Sequence, residues 1–191
     1  MTELILLRHG QTKANIKGAY SGKTDLPLLN ESIEQVIAAA RCLPKFDCVY
    51  SSEAIRAKQT ASIIAPNTPV KYLKALREID FGDFEGLSAD EIEKLMPKVW
   101  QRYLDDFMGF IFPNGDSVEG YLTDAAKTIR SIVKSHPGKR ILIVGHKGFI
   151  MCTLSYYLHG DLSHIFSYDI RPCCFAWLSI AGDSGVLKQL T

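Results

Sequence analysis

No stretch of the chain approaches the 18 or so consecutive apolar residues that a membrane-spanning helix needs. The opening run Leu4-Ile5-Leu6-Leu7 is cut off by Arg8, too soon for a signal peptide, so a cytoplasmic location is expected. Charge of one sign is also lacking. Lys and Arg total 22 against 21 Asp and Glu, so neither nucleic acid nor an anionic membrane is expected as a partner, and any anion recognition must come from local clustering. Cysteine is sparse. Cys42, Cys48, Cys152, Cys173 and Cys174 are odd in number and irregularly spaced among mostly apolar residues, which suits reduced core thiols and argues against a disulfide framework. The neighbours Cys173 and Cys174 have no second pair to complete a zinc site, and no metal or other cofactor is expected. Repeats, low-complexity tracts and linkers are missing as well.

What is present is 191 residues, 47% of them hydrophobic, enough for a single domain over 1–191 to bury its own core. Leu4 to Leu7 reads as a strand buried on both faces of a parallel sheet. A helix is expected from Glu31 to Leu43, a strand from Asp47 to Tyr50, and a second helix from about Ser52 to Ala65, stopped by Pro66. A brief strand follows near Val70 to Leu73, then a glycine-marked loop from Asp80 to Gly86 and a helix from Ala89 to about Leu95, with Pro97 opening another. Asp116 or Ser117 caps a long amphipathic helix running towards His136, ended by Pro137-Gly138. Ile141 to Val144 is a second buried strand, followed by an apolar helix from about Phe149 to Leu158. Cys173 to Ile180 and Val186 to Leu190, separated by Gly182-Asp183-Ser184-Gly185, form an antiparallel hairpin at the sheet edge. This rhythm predicts an α/β fold with a mostly parallel sheet and an antiparallel edge strand.

In such sheets ligands bind beyond the carboxyl ends of the strands. His9 follows the first buried strand and His146 the second; Arg8 precedes His9, and Gly10 lets backbone approach a ligand closely. Ser51 and Ser52 end another strand and lead to Arg56 one helical turn on. Guanidinium groups match phosphate bidentately and stay charged, so two of them at one pocket form a phosphate clamp. A histidine among cations stays partly neutral, because like charges lower its pKa, and can attack phosphorus. Taken singly, an Arg-His pair or a histidine after a strand is more often a satisfied surface group; joint placement is what raises the functional reading. His136, His159 and His164 fall at helix ends or in loops and read as capping or exposed groups.

The segment Arg8-His9-Gly10-Gln11-Thr12 resembles the signature of the histidine phosphatase (phosphoglycerate mutase-like) superfamily. The likeness continues through Asn15, Gly22 to Leu28, Tyr50-Ser51-Ser52 with Arg56, Gln59 and Thr60, Leu76 to Gly86, the Pro113 to Ser117 turn and Gly145-His146. It implies a three-layer α/β/α sandwich with a helical insertion at about 88–112 forming a pocket lid. It implies a metal-independent phosphatase of a small phosphorylated metabolite, with α-ribazole 5′-phosphate one candidate from the short phosphatase branch. His9 would be the nucleophile, with Arg8, Arg56 and a protonated His146 around the phosphoryl group. Glu78 would be general acid and then general base, and Asn15, Ser21, Gly22 and Lys147 would contact substrate. Glu85 and Asp83 read as structural or solvated.

Three departures from the family pattern stand out: Gln11 where glutamate is frequent, Ser21 where glutamine is common, and Lys147 where glycine is frequent. Lys147, together with Lys23, would favour substrates with a second anionic group, against the alternative of a lysine pointing to solvent. The rival functions are a mutase-type phosphotransferase, a non-catalytic phosphate-binding domain, and a nucleotide site at Gly145 to Gly148. Ile79-Asp80 after Glu78 and the compact chain favour hydrolysis over mutase chemistry. The intact set of nucleophile and acid argues against a pure binder, and the glycine spacing does not fit a dinucleotide fingerprint. The aromatics of the insertion, Trp100, Tyr103, Phe107, Phe110 and Phe112, read first as core. Oligomeric state is not readable.

Overall fold

The short aliphatic runs become strands and the amphipathic stretches helices. Their order is β1 (Thr2–Arg8), α1 (Lys13–Lys17), α2 (Asn30–Cys42), β2 (Cys48–Ser51), α3 (Ile55–Ile64), β3 (Val70–Tyr72), α4 (Ala89–Leu95), α5 (Pro97–Asp105), α6 (Val118–Lys134), β4 (Arg140–Gly145), α7 (Lys147–His159), β5 (Phe175–Ala181) and β6 (Ser184–Leu190). The computed structural model describes residues Met1–Thr191. Its six strands form one sheet in the order β3-β2-β4-β1-β5-β6. The first four run parallel, β5 runs against β1, and β6 against β5, so the expected antiparallel edge is a hairpin.

Alternation along the strands builds two cores. Leu4 and Leu6 of β1, with Ile141 and Ile143 of β4, share one core with α6 and α7; Ile5, Leu7, Leu142 and Val144 share the other with α2 and α3. All eight are at most 1% exposed, which is why these strands read as unbroken aliphatic runs with no polar alternation. The result is the three-layer sandwich. No helix is long and apolar enough to cross a membrane.

Several boundaries shift for local reasons. Helix α3 begins at Ile55, because Ser52 to Ala54 form a turn in which the Ala54 N–H donates to Ser52 Oγ at 3.3 Å. Strand β5 begins at Phe175. Cys173 takes a positive φ of 66° and turns its N–H onto the carbonyl of Arg8 at 3.2 Å, outside the ladder. Helix α6 starts where Ser117 Oγ accepts the Gly120 N–H at 3.2 Å, ordinary side-chain capping. In the insertion, Trp100, Tyr103, Phe110 and Phe112 pack around Phe84, which is fully buried. These aromatics are core, as their spacing suggested.

Candidate active site

Parallel strands β1, β2 and β4 deliver their carboxyl ends to one edge of the sheet, and the expected residues meet there. His9 continues β1 by donating its backbone N–H to the Gly145 carbonyl at 3.0 Å. Its Nδ1 lies 2.7 Å from the Gly10 carbonyl oxygen. A carbonyl only accepts, so Nδ1 carries the proton and neutral His9 keeps a bare lone pair on Nε2. Gly10 in turn donates its N–H to Thr60 Oγ1 at 3.0 Å, which anchors the turn to α3. A Cβ on Gly10 would collide with Ser32 and Val36, so only glycine lets β1 turn this close to α2. Burial, then Arg56 and Arg8, hold the His9 imidazole well below its ordinary pKa.

Arg56 is 1% exposed. Its Nη1 donates to the Thr24 carbonyl at 3.0 Å, and its Nη2 to the carbonyls of Ser21 at 3.2 Å and Gly22 at 3.0 Å. The amides of the same loop face the opposite way. Those of Gly22, Lys23 and Thr24 donate to the Glu85 carboxylate at 2.9, 2.9 and 3.1 Å. Glu85, expected to be structural or solvated, is structural: it braces the loop whose carbonyls orient the guanidinium. Arg8 Nη1 donates to the Ile170 carbonyl at 2.6 Å. Burial lowers the pKa of both arginines, countered first by Glu78.

His146 is the residue that caps α7, and its ring stands 5.2 Å from that of His9. Its Nε2 is 2.8 Å from Ser52 Oγ, while Nδ1 is buried without a partner. Burial, then His9, Arg56 and Arg8, push its pKa well down. The protonated form expected from the sequence is therefore disfavoured here, because a further cation beside two arginines lacks compensation.

Glu78 is 8% exposed. Oε2 accepts the Gly148 N–H at 3.0 Å; Oε1 accepts the Ile79 N–H at 3.1 Å and lies 3.0 Å from Tyr121 Oη. The Gly148 N–H is one of the donors that α7 cannot satisfy within its own first turn, so the carboxylate serves as side-chain cap to that helix. A Cβ on Gly148 would collide with Glu78. Tyr121 was not foreseen: it lies 43 residues from Glu78 in sequence and looks like any apolar position of an amphipathic helix.

Arg8, His9, Arg56 and Glu78 line a cavity of about 440 Å³ together with Asn15, Ser21 and Lys147. Asn15 Oδ1 accepts from the Thr12 N–H and hydroxyl at 2.9 and 3.0 Å, leaving its amide protons free for a ligand. Ser21 points its hydroxyl at the Thr24 carbonyl, 3.3 Å away. Gly22 does not line this cavity. It borders a second one on the other side of Glu78, with Lys23 and Arg77, and its contribution is to hold Arg56. Lys23, paired with Asp80 at 3.3 Å, lines that second cavity, whereas Lys147 lines the first. Tyr20 and Phe81 form an aromatic wall, and of the insertion only Ala89 reaches the lining.

The family model described as histidine phosphatase superfamily (branch 1) matches residues 4–191. The adenosylcobalamin/α-ribazole phosphatase of Escherichia coli is 26% identical, over 98% of this chain and 94% of that protein. A 6-phosphofructo-2-kinase/fructose-2,6-bisphosphatase of Caenorhabditis elegans is 29% identical over 87% of this chain, which spans only 36% of that longer protein. The crystal structure of a phosphoserine phosphatase from Entamoeba histolytica, in complex with 3-phosphoglyceric acid, superposes with a TM-score of 0.89 at 26% identity, over 100% of this chain and 97% of that one. With its fold, the order of its motifs and the family match over nearly its whole length in agreement, the chain belongs to branch 1 of the histidine phosphatase superfamily and is a phosphatase.

Proposed function

We propose that the protein hydrolyses a small phosphate monoester through a phosphohistidine at Nε2 of His9, without a metal, in the cytoplasm. One observation carries this. Of the four buried side-chain polar atoms that lack a hydrogen-bond partner, three belong to the site: Arg8 Nε, Arg56 Nε and His146 Nδ1. Each costs about 1–3 kcal/mol when left unpaired, which supports donors held ready for an oxyanion beside the bare Nε2 of His9, at the cavity that Arg8, His9 and Arg56 line.

Neutral His9 attacks phosphorus in line as the ester oxygen departs. Arg8, Arg56 and His146 stabilise the charge on the transferred group. With Ser52 donating to its Nε2, His146 presents an Nδ1–H to the phosphoryl oxygens; a bound dianion also supplies the compensation that its protonation lacks. Glu78, in its acid form, protonates the leaving alkoxide and then, ionised, takes a proton from the water that attacks the phosphohistidine. Phosphate leaves and His9 is restored. Asn15 adds an amide donor at the cavity wall. The aromatic wall of Tyr20 and Phe81, backed by the insertion 88–112, limits the leaving group, and the named activities of the relatives support a small phosphorylated metabolite, α-ribazole 5′-phosphate among the candidates.

The test is phosphate release, in the presence of chelator, from p-nitrophenyl phosphate, α-ribazole 5′-phosphate, phosphoserine and 3-phosphoglycerate. Wild type is expected to turn over at least one of them and to trap an acid-labile phosphoryl group. His9→Ala is expected to lose both; release that survives in His9→Ala overturns the mechanism.

A further inference from the structure

Lys147 stands at the first position of α7, where no acidic residue balances it. A cation at a helix N-terminus opposes the helix dipole and costs roughly 0.3–1 kcal/mol. Nothing in the packing requires it: the side chain is 42% exposed and its only ion-pair partner is Asp169, 3.6 Å away and itself 63% exposed. An exposed pair of that kind contributes about 0–1 kcal/mol. Asp169 is also served by Arg171 Nε at 3.0 Å, so it keeps a cation when Lys147 leaves.

The same side chain lines the cavity of His9, Arg8 and Arg56. Arg8 and Arg56 face the transferred phosphoryl group, and Lys147, tied only to the exposed Asp169, is a further cation on the same cavity wall. A substrate whose leaving group is neutral gives that charge nothing to meet. Building on the phosphohistidine reading, we propose that Lys147 selects substrates carrying a second anionic group, a carboxylate or a phosphate, on the leaving-group side, exchanging Asp169 for that group on binding.

Matched substrate pairs isolate the effect: 3-phosphoglycerate against glycerol 3-phosphate for a carboxylate, and fructose 1,6-bisphosphate against fructose 1-phosphate and fructose 6-phosphate for a phosphate. Wild type prefers the more charged member of at least one pair, and which pair tells carboxylate from phosphate. In Lys147→Met that preference, taken as the ratio of kcat/KM values, falls about tenfold, the scale of one charge-assisted hydrogen bond. Lys147→Arg retains it, and so does Lys23→Met, whose lysine faces the other cavity. Equal losses on both members, or no preference in wild type, overturn the proposal. Calorimetric binding of the same pairs to His9→Ala and His9→Ala/Lys147→Met reads the same preference without turnover, so failure of the phosphohistidine step is distinguished from failure of the lysine.

Discussion

Gly148 shows how much one missing Cβ matters at this site. It donates its N–H to Glu78 Oε2 and leaves the space that the carboxylate fills. Gly148→Ala gains helix propensity of about 1 kcal/mol but displaces the acid. The variant is expected to melt near the wild-type temperature, the lost cap offsetting the gained propensity, while kcat falls on the order of ten- to a hundredfold, as misplaced catalytic groups do. The loss should be larger for an alkyl phosphate than for p-nitrophenyl phosphate, whose leaving group departs without a proton. An unchanged kcat on the alkyl ester would remove Glu78 from the role of acid.

Among the elements, the loop from Ser21 to Thr24 has no regular structure and yet sets the phosphate clamp, its carbonyls on Arg56 and its amides on Glu85. Glu85→Gln puts an NH2 group where a backbone amide needs an acceptor. KM for monoesters is expected to rise about tenfold, with weaker inhibition by inorganic phosphate and a smaller change in kcat, since an interaction of about 1.5–3 kcal/mol is lost from substrate binding; steady-state kinetics decide it. The arginines of this clamp were legible in the sequence; the loop that orients Arg56 was not, because backbone carbonyls and amides, not side-chain types, make its bonds. Helix α4, by contrast, was legible to both ends: Ser88 and Glu91 make a capping box, the hydroxyl accepting the Glu91 N–H and the carboxylate accepting the Ser88 N–H, and such a box is written in residue identities. Strands β1 and β4 were legible because burial on both faces leaves an aliphatic run, and that placed His9 and His146 at once. Short α1 and the true start of β5 were not, since each depends on a local turn, closed at Gly18 with φ 69° and at Cys173 with φ 66°.

For the molecule as a whole, two buried neutral histidines tie stability to pH. His9 and His146 titrate well below 6.5 when folded. Unfolded, they take up protons near that value, so the unfolded chain binds more protons as pH falls below about 6.5 and the native state loses ground. Above about 6.5 this contribution is flat. Urea midpoints are expected to drop between about pH 7 and pH 5, with part of that slope removed in His146→Asn; an unchanged slope would mean that the ring is charged in the folded protein.

Strand β1 sits between β4 and β5 and pairs with residues 140–145 on one side and 175–180 on the other. Strand β1 therefore waits, during synthesis, for partners that lie far downstream in the chain. Until Phe175 to Ile180 have emerged, an aliphatic strand with an open edge is exposed, a hazard for pairing with other chains. Helices can form early, but the edge of β1 is covered only once β5 has been made. Chains cut before Phe175 are expected to partition into the insoluble fraction, whereas loss of residues 184–191, the outer strand β6, should leave a foldable but weakened protein.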